Sequence, residues 1–320
     1  PGSGSTTVSI ACHATSARYP AVDIDESYEL RVTKQKVTVD APEEAGIIRA
    51  LQTLRQMHDT VDGVTSVPVV RIEDEPRLAW RGLMIDVVRH WIPMENLFAI
   101  VDAMESVKLN VLHLHLTDNQ AFRVQSKVHD RIHTMSYDRD LYDQPWYLQH
   151  DIRELVEYCA DRCIRVVPEF NVPGHGTALL AAYPELASSP GPFEAEDQAG
   201  IFRPTMDPTR ESTYEFLDAL FDEMIELFPD RYFHTGGDEV DSTDRLENPD
   251  TVAYLDDHGL DAAHALQARF TARVQAMLND RGKTMVAWDE VLNGSPAEGA
   301  DALGSTPGAL DAGGIAVQAW

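Results

Sequence analysis

The chain has 320 residues, 43% of them hydrophobic, and its 53 acidic and 26 basic side chains give a formal net charge of −27 at pH 7. Such a charge repels phosphate backbones and anionic lipids, so neither nucleic acid nor a membrane is an expected partner. No apolar run approaches the roughly 20 residues that a membrane-spanning helix needs. We therefore expect a soluble protein, and the length suits a barrel with a smaller appended domain.

Residues 1–76 are predicted to form a small α+β domain. Alternating apolar residues over 28–33 and 36–39 predict a β-hairpin. Pro42 then opens a helix with apolar residues at helical spacing, and an apolar strand follows around 67–72. This segment contains no cluster of catalytic side chains, so we interpret it as a non-catalytic, structural domain.

The three cysteines, Cys12, Cys159 and Cys163, cannot all pair. Their spacing does not match a zinc site, so free buried thiols are predicted and no metal or other cofactor is expected. Residues 1–5 have neither the charged leader nor the apolar core of a signal peptide. Neither the compartment nor the oligomeric state follows from these features.

From Trp80 the pattern changes to apolar runs separated by helical stretches, which is typical of parallel βαβ units. The predicted strands lie at 82–88, 110–116, 164–170, 231–235, 284–288 and 315–320. A helix is predicted over 94–107. No Gly-x-Gly-x-x-Gly follows the first strand, so a barrel is favoured over a dinucleotide-binding sheet. A full barrel takes about 250 residues, and residues 77–320 therefore predict a (β/α)8 TIM-type barrel truncated after about six strands.

Polar or aromatic residues stand at the ends of these predicted strands. They are Asp86 and Arg89, Asp118, His175, Asp238 and Glu239, Trp288 and Trp320. Barrel enzymes keep their chemistry at the carboxyl ends of the strands, so these side chains are expected around one mouth. Aromatic rings can stack on the apolar faces of a sugar, and acids accept hydrogen bonds from its hydroxyls. A sugar ligand is therefore predicted.

The segment Gly236-Gly-Asp-Glu239 needs a special backbone to act as a site. On a regular strand, neighbouring side chains point to opposite faces, so two adjacent acids would not share a pocket. Two glycines permit a sharp turn at the end of the strand, after which both acids can face one ligand. Taken alone, the tetrapeptide would be read more simply as an acidic surface turn.

Five motifs in the same order resemble the family 20 glycoside hydrolases, the β-N-acetylhexosaminidases. They are Arg81-Gly-Leu-Met-Ile-Asp86 with Arg89-His90, His113-Leu-His-Leu-Thr-Asp118, Pro168-Glu-Phe-Asn-Val-Pro-Gly-His175, His234-Thr-Gly-Gly-Asp-Glu239 and Trp288-Asp-Glu290. Residues 28–57 are also similar to the non-catalytic domain that precedes the barrel in this family. The resemblance covers nearly the whole chain.

The resemblance implies retaining, substrate-assisted hydrolysis of terminal β-linked N-acetylhexosamine from glycans, chito-oligosaccharides or glycoconjugates. In this family the 2-acetamido oxygen of the sugar attacks the anomeric carbon, so no enzyme carboxylate becomes the covalent nucleophile. Glu239 is then implied as the general acid and base, and Asp238 as the residue that orients the acetamido group. Two neighbouring carboxyls disfavour double ionisation, and the extra proton is expected on Glu239.

The remaining roles are implied in the same way. Arg89 matches the arginine that binds sugar hydroxyls, and Asp118 with His175 matches the dyad linked to the general acid. Trp288 and Trp320 match walls of the sugar pocket. Without the motifs, each residue would be given a structural role first: a salt bridge, a helix cap, a core histidine or core aromatic rings.

The sequence departs from the family pattern at three places. Asn171 stands where the family usually has aspartate. The segment after Val240 lacks the usual tryptophan, and Arg245 is near that position. The chain stops at Trp320, before the last two strands, which in the family bring a tyrosine to the acetamido carbonyl. We therefore expect this chain to be a fragment of a complete barrel.

Two alternatives from other classes remain open at this point. His113 and His115 face the same side of a predicted strand and could join His175 and His234 in a metal-dependent hydrolase site. The second alternative is a non-catalytic glycan-binding remnant, which would bind N-acetylhexosamine without cleaving it.

Only five of the 26 basic residues are lysine, and acid-rich, lysine-poor surfaces suit a protein that remains soluble in concentrated salt. An ordinary acidic protein is the alternative explanation. The halophilic interpretation predicts that activity and melting temperature rise from low to molar NaCl. Enzyme assays and thermal melts over that range test it, and a flat or falling response would remove it.

Overall fold

The computed structural model describes residues 7–260, 263–292 and 315–319. It divides into two compact units. The first takes in the chain up to Leu83 together with Glu95–Leu112 and Leu155–Val166, and the second takes in Met84–Met94, His113–Glu154 and the chain from Val167 onward. These units are discontinuous in sequence, so they do not test the predicted domain boundary after residue 76, which stays a prediction. Among the described residues, no helix is both long and apolar enough to cross a membrane.

A four-stranded sheet and a helix packed against it lie within the first unit. The strands of this region are β1 (Thr7–Cys12), β2 (Tyr28–Val32), β3 (Lys36–Ala41), β4 (Asp59–Val61), β5 (Val64–Ser66) and β6 (Val70–Asp74), and the helix is α1 (Glu44–Met57). The sheet order is β1-β3-β2-β6, while β4 and β5 form a separate hairpin. The antiparallel pairing of β2 with β3 confirms the predicted hairpin.

Alternation of side chains explains the core of this sheet. Tyr28, Leu30 and Val32 are buried on one face of β2, and Ile47 and Leu54 of α1 pack against the same cluster. Strand β1 was not predicted, although Val8, Ile10 and Cys12 alternate along it, and nearly all of its residues are exposed. Cys12 lies on this strand and is exposed, so the prediction of a buried thiol was wrong there. Cys159 and Cys163 are free and buried as predicted.

The larger sheet has six strands within the described ranges. They are β7 (Gly82–Asp86), β8 (Val111–Thr117), β9 (Arg165–Phe170), β10 (Tyr232–His234), β11 (Thr284–Trp288) and β12 (Ile315–Gln318). Each strand lies beside its neighbour in the sequence, in the order β12-β11-β10-β9-β8-β7. Strands β9 to β12 pair in parallel. Sequential order is that of a barrel, whereas a doubly wound sheet reverses direction at a switch point.

Helices separate the strands from β7 to β11 along the chain. They are α2 (Met94–Ser106), α3 (Gln149–Ala160), α4 (Thr177–Ala182), α5 (Glu211–Ile225), α6 (Thr243–Glu247), α7 (Pro249–Asp257) and α8 (Ala263–Asp280). Helix α2 agrees with the prediction to within one residue at its end, and it buries Leu97, Val101 and Met104 at helical spacing.

The buried strands β8 and β9 separate two kinds of side chain by face. Leu112, Leu114 and Leu116 alternate along β8 with His113 and His115, and all five are buried. On the neighbouring strands, Phe170 stacks on Phe233 with ring centroids 5.3 Å apart, and Phe233 meets Phe221 of α5. One face of the sheet is therefore packed with apolar residues, while the other carries imidazoles and carboxylates.

Candidate active site

The loop that follows β10 turns at Gly236, where φ is +66°, and at Gly237, where φ is +92°. Glycine adopts such angles without the steric cost that other residues meet. Space also favours glycine, because a methyl group on Gly236 would lie 2.0 Å from the Asn171 side chain. Glu239 follows with φ +49°. The alternation of a regular strand therefore ends before the two acids.

Because of this turn, two adjacent carboxylates approach a single nitrogen. Asp238 Oδ2 lies 3.5 Å from His175 Nε2, and Glu239 Oε2 lies 3.4 Å from the same atom. His175 is buried and comes from the loop after β9, so the three side chains meet at the ends of two neighbouring strands. The arrangement places one imidazole nitrogen beside two acids, which suits acid–base chemistry.

Asp238 is the more enclosed of the pair, with 4% of its surface exposed. Asn171 Nδ2 donates a 2.7 Å hydrogen bond to Asp238 Oδ1, and Asn171 Oδ1 accepts one from the Gly237 amide. Burial raises the pKa of Asp238, although His175 and Asn171 partly oppose the shift. The expectation that Glu239 holds the extra proton stays a prediction. Asn171 supplies a hydrogen-bond donor that an aspartate at that position would lack.

Glu239 is more open, since 34% of its side chain is exposed. Its backbone amide donates a 2.7 Å hydrogen bond to Glu290 Oε2, which follows β11. This contact fixes the backbone where φ is positive. Glu290 is the last residue of the Trp288-Asp-Glu290 motif, and no role was predicted for it. The carboxyl group of Glu239 is thus available to a ligand while its main chain is held.

Asp118 follows β8 and connects several polar groups. Its Oδ1 lies 3.1 Å from His175 Nδ1 and accepts a 2.6 Å hydrogen bond from the Asn119 amide. Burial alone would raise the pKa of Asp118, but hydrogen bonds from His115 and His175 hold it well below its usual range. The Asp118 carboxylate in turn outweighs the effect of burial on His175 and raises the pKa of that imidazole. His175 is therefore oriented, and its Nδ1–H is held by Asp118.

Arg89 lies close to this dyad. Asp86, at the end of β7, accepts hydrogen bonds from the amides of Val88 and Arg89, which shapes the turn. Arg89 Nη1 donates to Asp86 Oδ2 at 2.9 Å, and Nη2 lies 2.7 Å from Asp118 Oδ2. The Asp118 and Asp86 charges outweigh the cost of burial and raise the pKa of the guanidinium. The side chain is only partly buried, so a ligand can still reach it.

Trp288 ends β11 and is buried beside the same site. Its Nε1 donates a 3.0 Å hydrogen bond to Glu169 Oε1, and its ring centroid lies 5.1 Å from that of His234. The indole is thus held at a fixed angle by a carboxylate and an imidazole. Trp320, the second predicted aromatic wall, lies outside the described residues.

The four histidines of the metal-site hypothesis do not form one cluster. His113 and His234 lie with Glu169, whereas His175 lies with Asp238 and Glu239. His115 lies between two carboxylates, with Nε2 2.9 Å from Asp118 Oδ2. The four histidines therefore do not share the single metal site that the hypothesis predicted.

Arg245 stands near the position of the family's usual tryptophan. It lies on α6, is 1% exposed, and its Nη2 donates to the Met206 carbonyl oxygen at 3.3 Å. A guanidinium buried in this way does not offer the exposed flat surface that an indole would give a sugar.

Two family models match the chain. "Glycosyl hydrolase family 20, catalytic domain" matches residues 78–320, and "Glycosyl hydrolase family 20, domain 2" matches residues 3–75. Together they cover nearly all of the sequence. The motifs quoted above lie within the first match.

Curated relatives and solved structures agree with this result. A "Beta-hexosaminidase" of Porphyromonas gingivalis is 34% identical over 87% of this chain and 37% of its own length. A "Beta-N-acetylhexosaminidase" of Cellulomonas fimi is 36% identical over 83% of this chain and 51% of its own length. The crystal structure of a Flavobacterium johnsoniae chitobiase matches with a TM-score of 0.83 and 39% identity, covering 89% of this chain and 42% of that one.

These matches confirm the predicted TIM-type barrel preceded by a small α+β domain. The chain spans about half the length, or less, of the curated relatives described above.

Proposed function

This chain belongs to glycosyl hydrolase family 20, and from that premise we propose that it carries the catalytic centre of a β-N-acetylhexosaminidase. The reaction is retaining, substrate-assisted hydrolysis of terminal, non-reducing, β-linked N-acetylglucosamine or N-acetylgalactosamine. The observation that supports it most strongly is the approach of Asp238 and Glu239 to one nitrogen of His175, at 3.5 and 3.4 Å. Adjacent acids suit a mechanism in which the substrate supplies its own nucleophile.

In the first step, the acetamido oxygen of the sugar bonds to the anomeric carbon while the glycosidic bond breaks. Glu239, the more exposed carboxyl, gives its proton to the departing oxygen. Asp238 holds the acetamido N–H and balances the positive charge that develops on the oxazolinium ring. Its buried position and its hydrogen bond from Asn171 fix the carboxylate for that task.

In the second step, Glu239 removes a proton from water, and the water oxygen bonds to the anomeric carbon. The bond from the acetamido oxygen breaks, which restores the acetamide and leaves the β-configured sugar. The two inversions together retain configuration. Asp118 serves Glu239 in both steps, because it holds the imidazole of His175 in a fixed orientation at the Glu239 carboxylate.

Binding of the sugar is assigned to Arg89 and to aromatic walls. The planar guanidinium can donate two hydrogen bonds to neighbouring hydroxyls, and its salt bridges with Asp86 and Asp118 hold it in place. Trp288 offers an indole face for the acetamido side of the pocket, and Trp320 is proposed as a second wall. Residues 1–76 are proposed to be structural.

A comparison of two substrates tests the proposal, in a protein with the complete barrel. The 4-nitrophenyl β-glycoside of N-acetylglucosamine should be hydrolysed, while the matching glucoside, which lacks the internal nucleophile, should be inert. Equal cleavage of the glucoside would indicate a conventional pair of carboxylates, roughly 5 Å or more apart. Calorimetric sugar binding without turnover of either compound would support the glycan-binding remnant instead.

We expect Arg89→Lys to lower kcat/KM at least tenfold, which is about 1.4 kcal/mol of transition-state stabilisation. Lysine keeps the charge, but it cannot span both carboxylates and still present a planar fork to the sugar. Steady-state kinetics on the N-acetylglucosaminide measure the effect. Arg71→Lys is a suitable control, because Arg71 forms exposed ion pairs with Glu29 and Glu73. Unchanged kinetics in Arg89→Lys would place this residue outside the binding site.

A further inference from the structure

Glu169 is a fully buried carboxylate on β9, in the middle of the polar face of the larger sheet. Its Oε2 lies 2.8 Å from His113 Nε2 and 2.9 Å from His115 Nδ1. Its Oε1 accepts the 3.0 Å hydrogen bond from Trp288 Nε1. One carboxyl group therefore contacts side chains from strands on either side of it.

The sequence shows that this carboxylate is unusual. Glu169 interrupts an apolar strand whose other residues are also buried. Buried acids are rare unless they are paired, because removing a charge from water is costly. The opposite charge of His115 outweighs burial and keeps the pKa of Glu169 well below its ordinary value. The acid is therefore ionised inside the protein.

His115 links this buried acid to the proposed catalytic residues. Its Nδ1 faces Glu169 and its Nε2 faces Asp118 Oδ2, each at 2.9 Å. The two nearby carboxylates favour the cationic form of this imidazole, in which both nitrogens carry a proton, and Arg89 Nη1 also lies 3.1 Å from Nε2. Burial opposes that form, but the two acids raise the pKa of His115 to about 10.

Other ionisable groups also face this part of the site. Around Glu169 and His115 they are His113 from β8, His234 from β10, Arg89 and Asp86 from the turn after β7, Asp118 after β8, His175 after β9 and Asp238 after β10. Burial lowers the pKa of His234 to about 3, so that imidazole is neutral. Asp118 therefore has Arg89 and His115 at its Oδ2 and His175 at its Oδ1.

We propose that Glu169 is a positioning residue for the reaction: it holds His115 as a cation against Asp118 and fixes the indole of Trp288 as a wall of the sugar pocket. Through His115, it keeps Asp118 ionised and so keeps His175 aligned on Glu239. The inference rests on the proposed function, because those residues are the catalytic ones only if the chain acts on N-acetylhexosaminides. Glu169 itself does not touch the reacting atoms.

The first test is Glu169→Gln. The amide keeps the size of the side chain but removes the charge and brings an N–H toward two imidazoles. Loss of a neighbouring carboxylate lowers a histidine pKa, so His115 should lose its proton at lower pH than in the wild type. We expect kcat to fall at least tenfold at pH 8, with a smaller loss at pH 5. The alkaline limb of the kcat/KM profile should move down by at least one pH unit.

Glu26→Gln is the matched control. Glu26 is also a buried carboxylate, and its ion-pair partners are Arg49 and Arg81, which have no proposed catalytic role. Its replacement should lower the melting temperature and leave the shape of the pH profile unchanged. If Glu169→Gln behaves in the same way, with a lower melting temperature and an unshifted profile, Glu169 is merely structural and the proposal is overturned.

A second test needs neither a folded Glu169 variant nor catalysis. The wild-type protein labelled with ¹⁵N-histidine should show both ring nitrogens of His115 protonated at pH 7, with the signal assigned by its loss in His115→Asn. An unprotonated nitrogen at pH 7 would overturn the proposal. This result is independent of substrate. Absence of N-acetylglucosaminide turnover in the wild type would overturn the proposed function and leave the measured charge of His115 standing.

Discussion

Glu239→Gln is expected to lower kcat/KM by about 10²–10⁴-fold for a chito-oligosaccharide, whose leaving oxygen needs a proton. The loss should be much smaller for an aryl glycoside with an acidic phenol, because that phenolate departs without protonation. Glutamine keeps the size of the side chain and leaves the amide contact with Glu290 in place. The difference between the two substrates therefore reports proton transfer rather than a change in shape.

Single-turnover kinetics on a series of phenols of increasing pKa would measure this difference. The slope of log kcat/KM against the pKa of the leaving group should be shallow for the wild type and steep for the variant. Equal losses across the whole series would show that Glu239 is not the proton donor. Glu247→Gln, on an exposed residue of α6, is a control that should match the wild type.

Asp238→Asn is expected to reduce both substrate classes alike, by about 10²–10³-fold, as for other lost electrostatic contacts to a transition state. Its proposed work, on the acetamido group, is separate from leaving-group protonation although both belong to the first step, so the quality of the leaving group should not matter. The same set of phenols therefore separates the two adjacent acids. A loss confined to poor leaving groups would contradict the assignment.

The same substitution has a second expected effect, on stability. Burial raises the pKa of Asp238, so the folded state binds the proton more tightly than the unfolded state. Stability from this group is present at low pH and is lost as the pH rises through the folded-state pKa. Asp238→Asn removes the titrating carboxyl and with it this loss of stability. The melting temperature of the variant at pH 7 should therefore equal or exceed that of the wild type, and the two melting temperatures should differ less at pH 4. Thermal melts at both values measure it, and marked destabilisation at pH 7 would contradict it.

Strands β9 and β11 were predictable because they are buried along their whole length and read as nearly continuous apolar runs. The predicted strand at 284–288 agrees with β11 at both ends. Strand β1 was missed for the opposite reason: its side chains are mostly exposed, and its pairing with β3 depends on the backbone.

The site was predictable in its residue types but less so in its contacts. Gly236 and Gly237 predict a turn that can place two acids in one site. The approach of Asp238 and Glu239 to His175, however, depends on the loop that follows another strand. The role of Glu169 was missed, although a charged residue inside an apolar strand is a signal of pairing. Which partners it takes, from β8 and β11, depends on the packing of the strands and not on local sequence.

The division of strand β8 into two faces has a consequence for how this gene can change. Its leucines and histidines occupy alternate positions, so each face is defined by whether a residue number is even or odd. Deleting one codon between 112 and 116 would exchange the faces along the rest of the strand, turning imidazoles toward the hydrophobic packing and leucines toward Asp118 and Glu169. In a mutational library, this strand should therefore tolerate many single substitutions of its leucines by other aliphatic residues, yet almost no single-residue insertion or deletion.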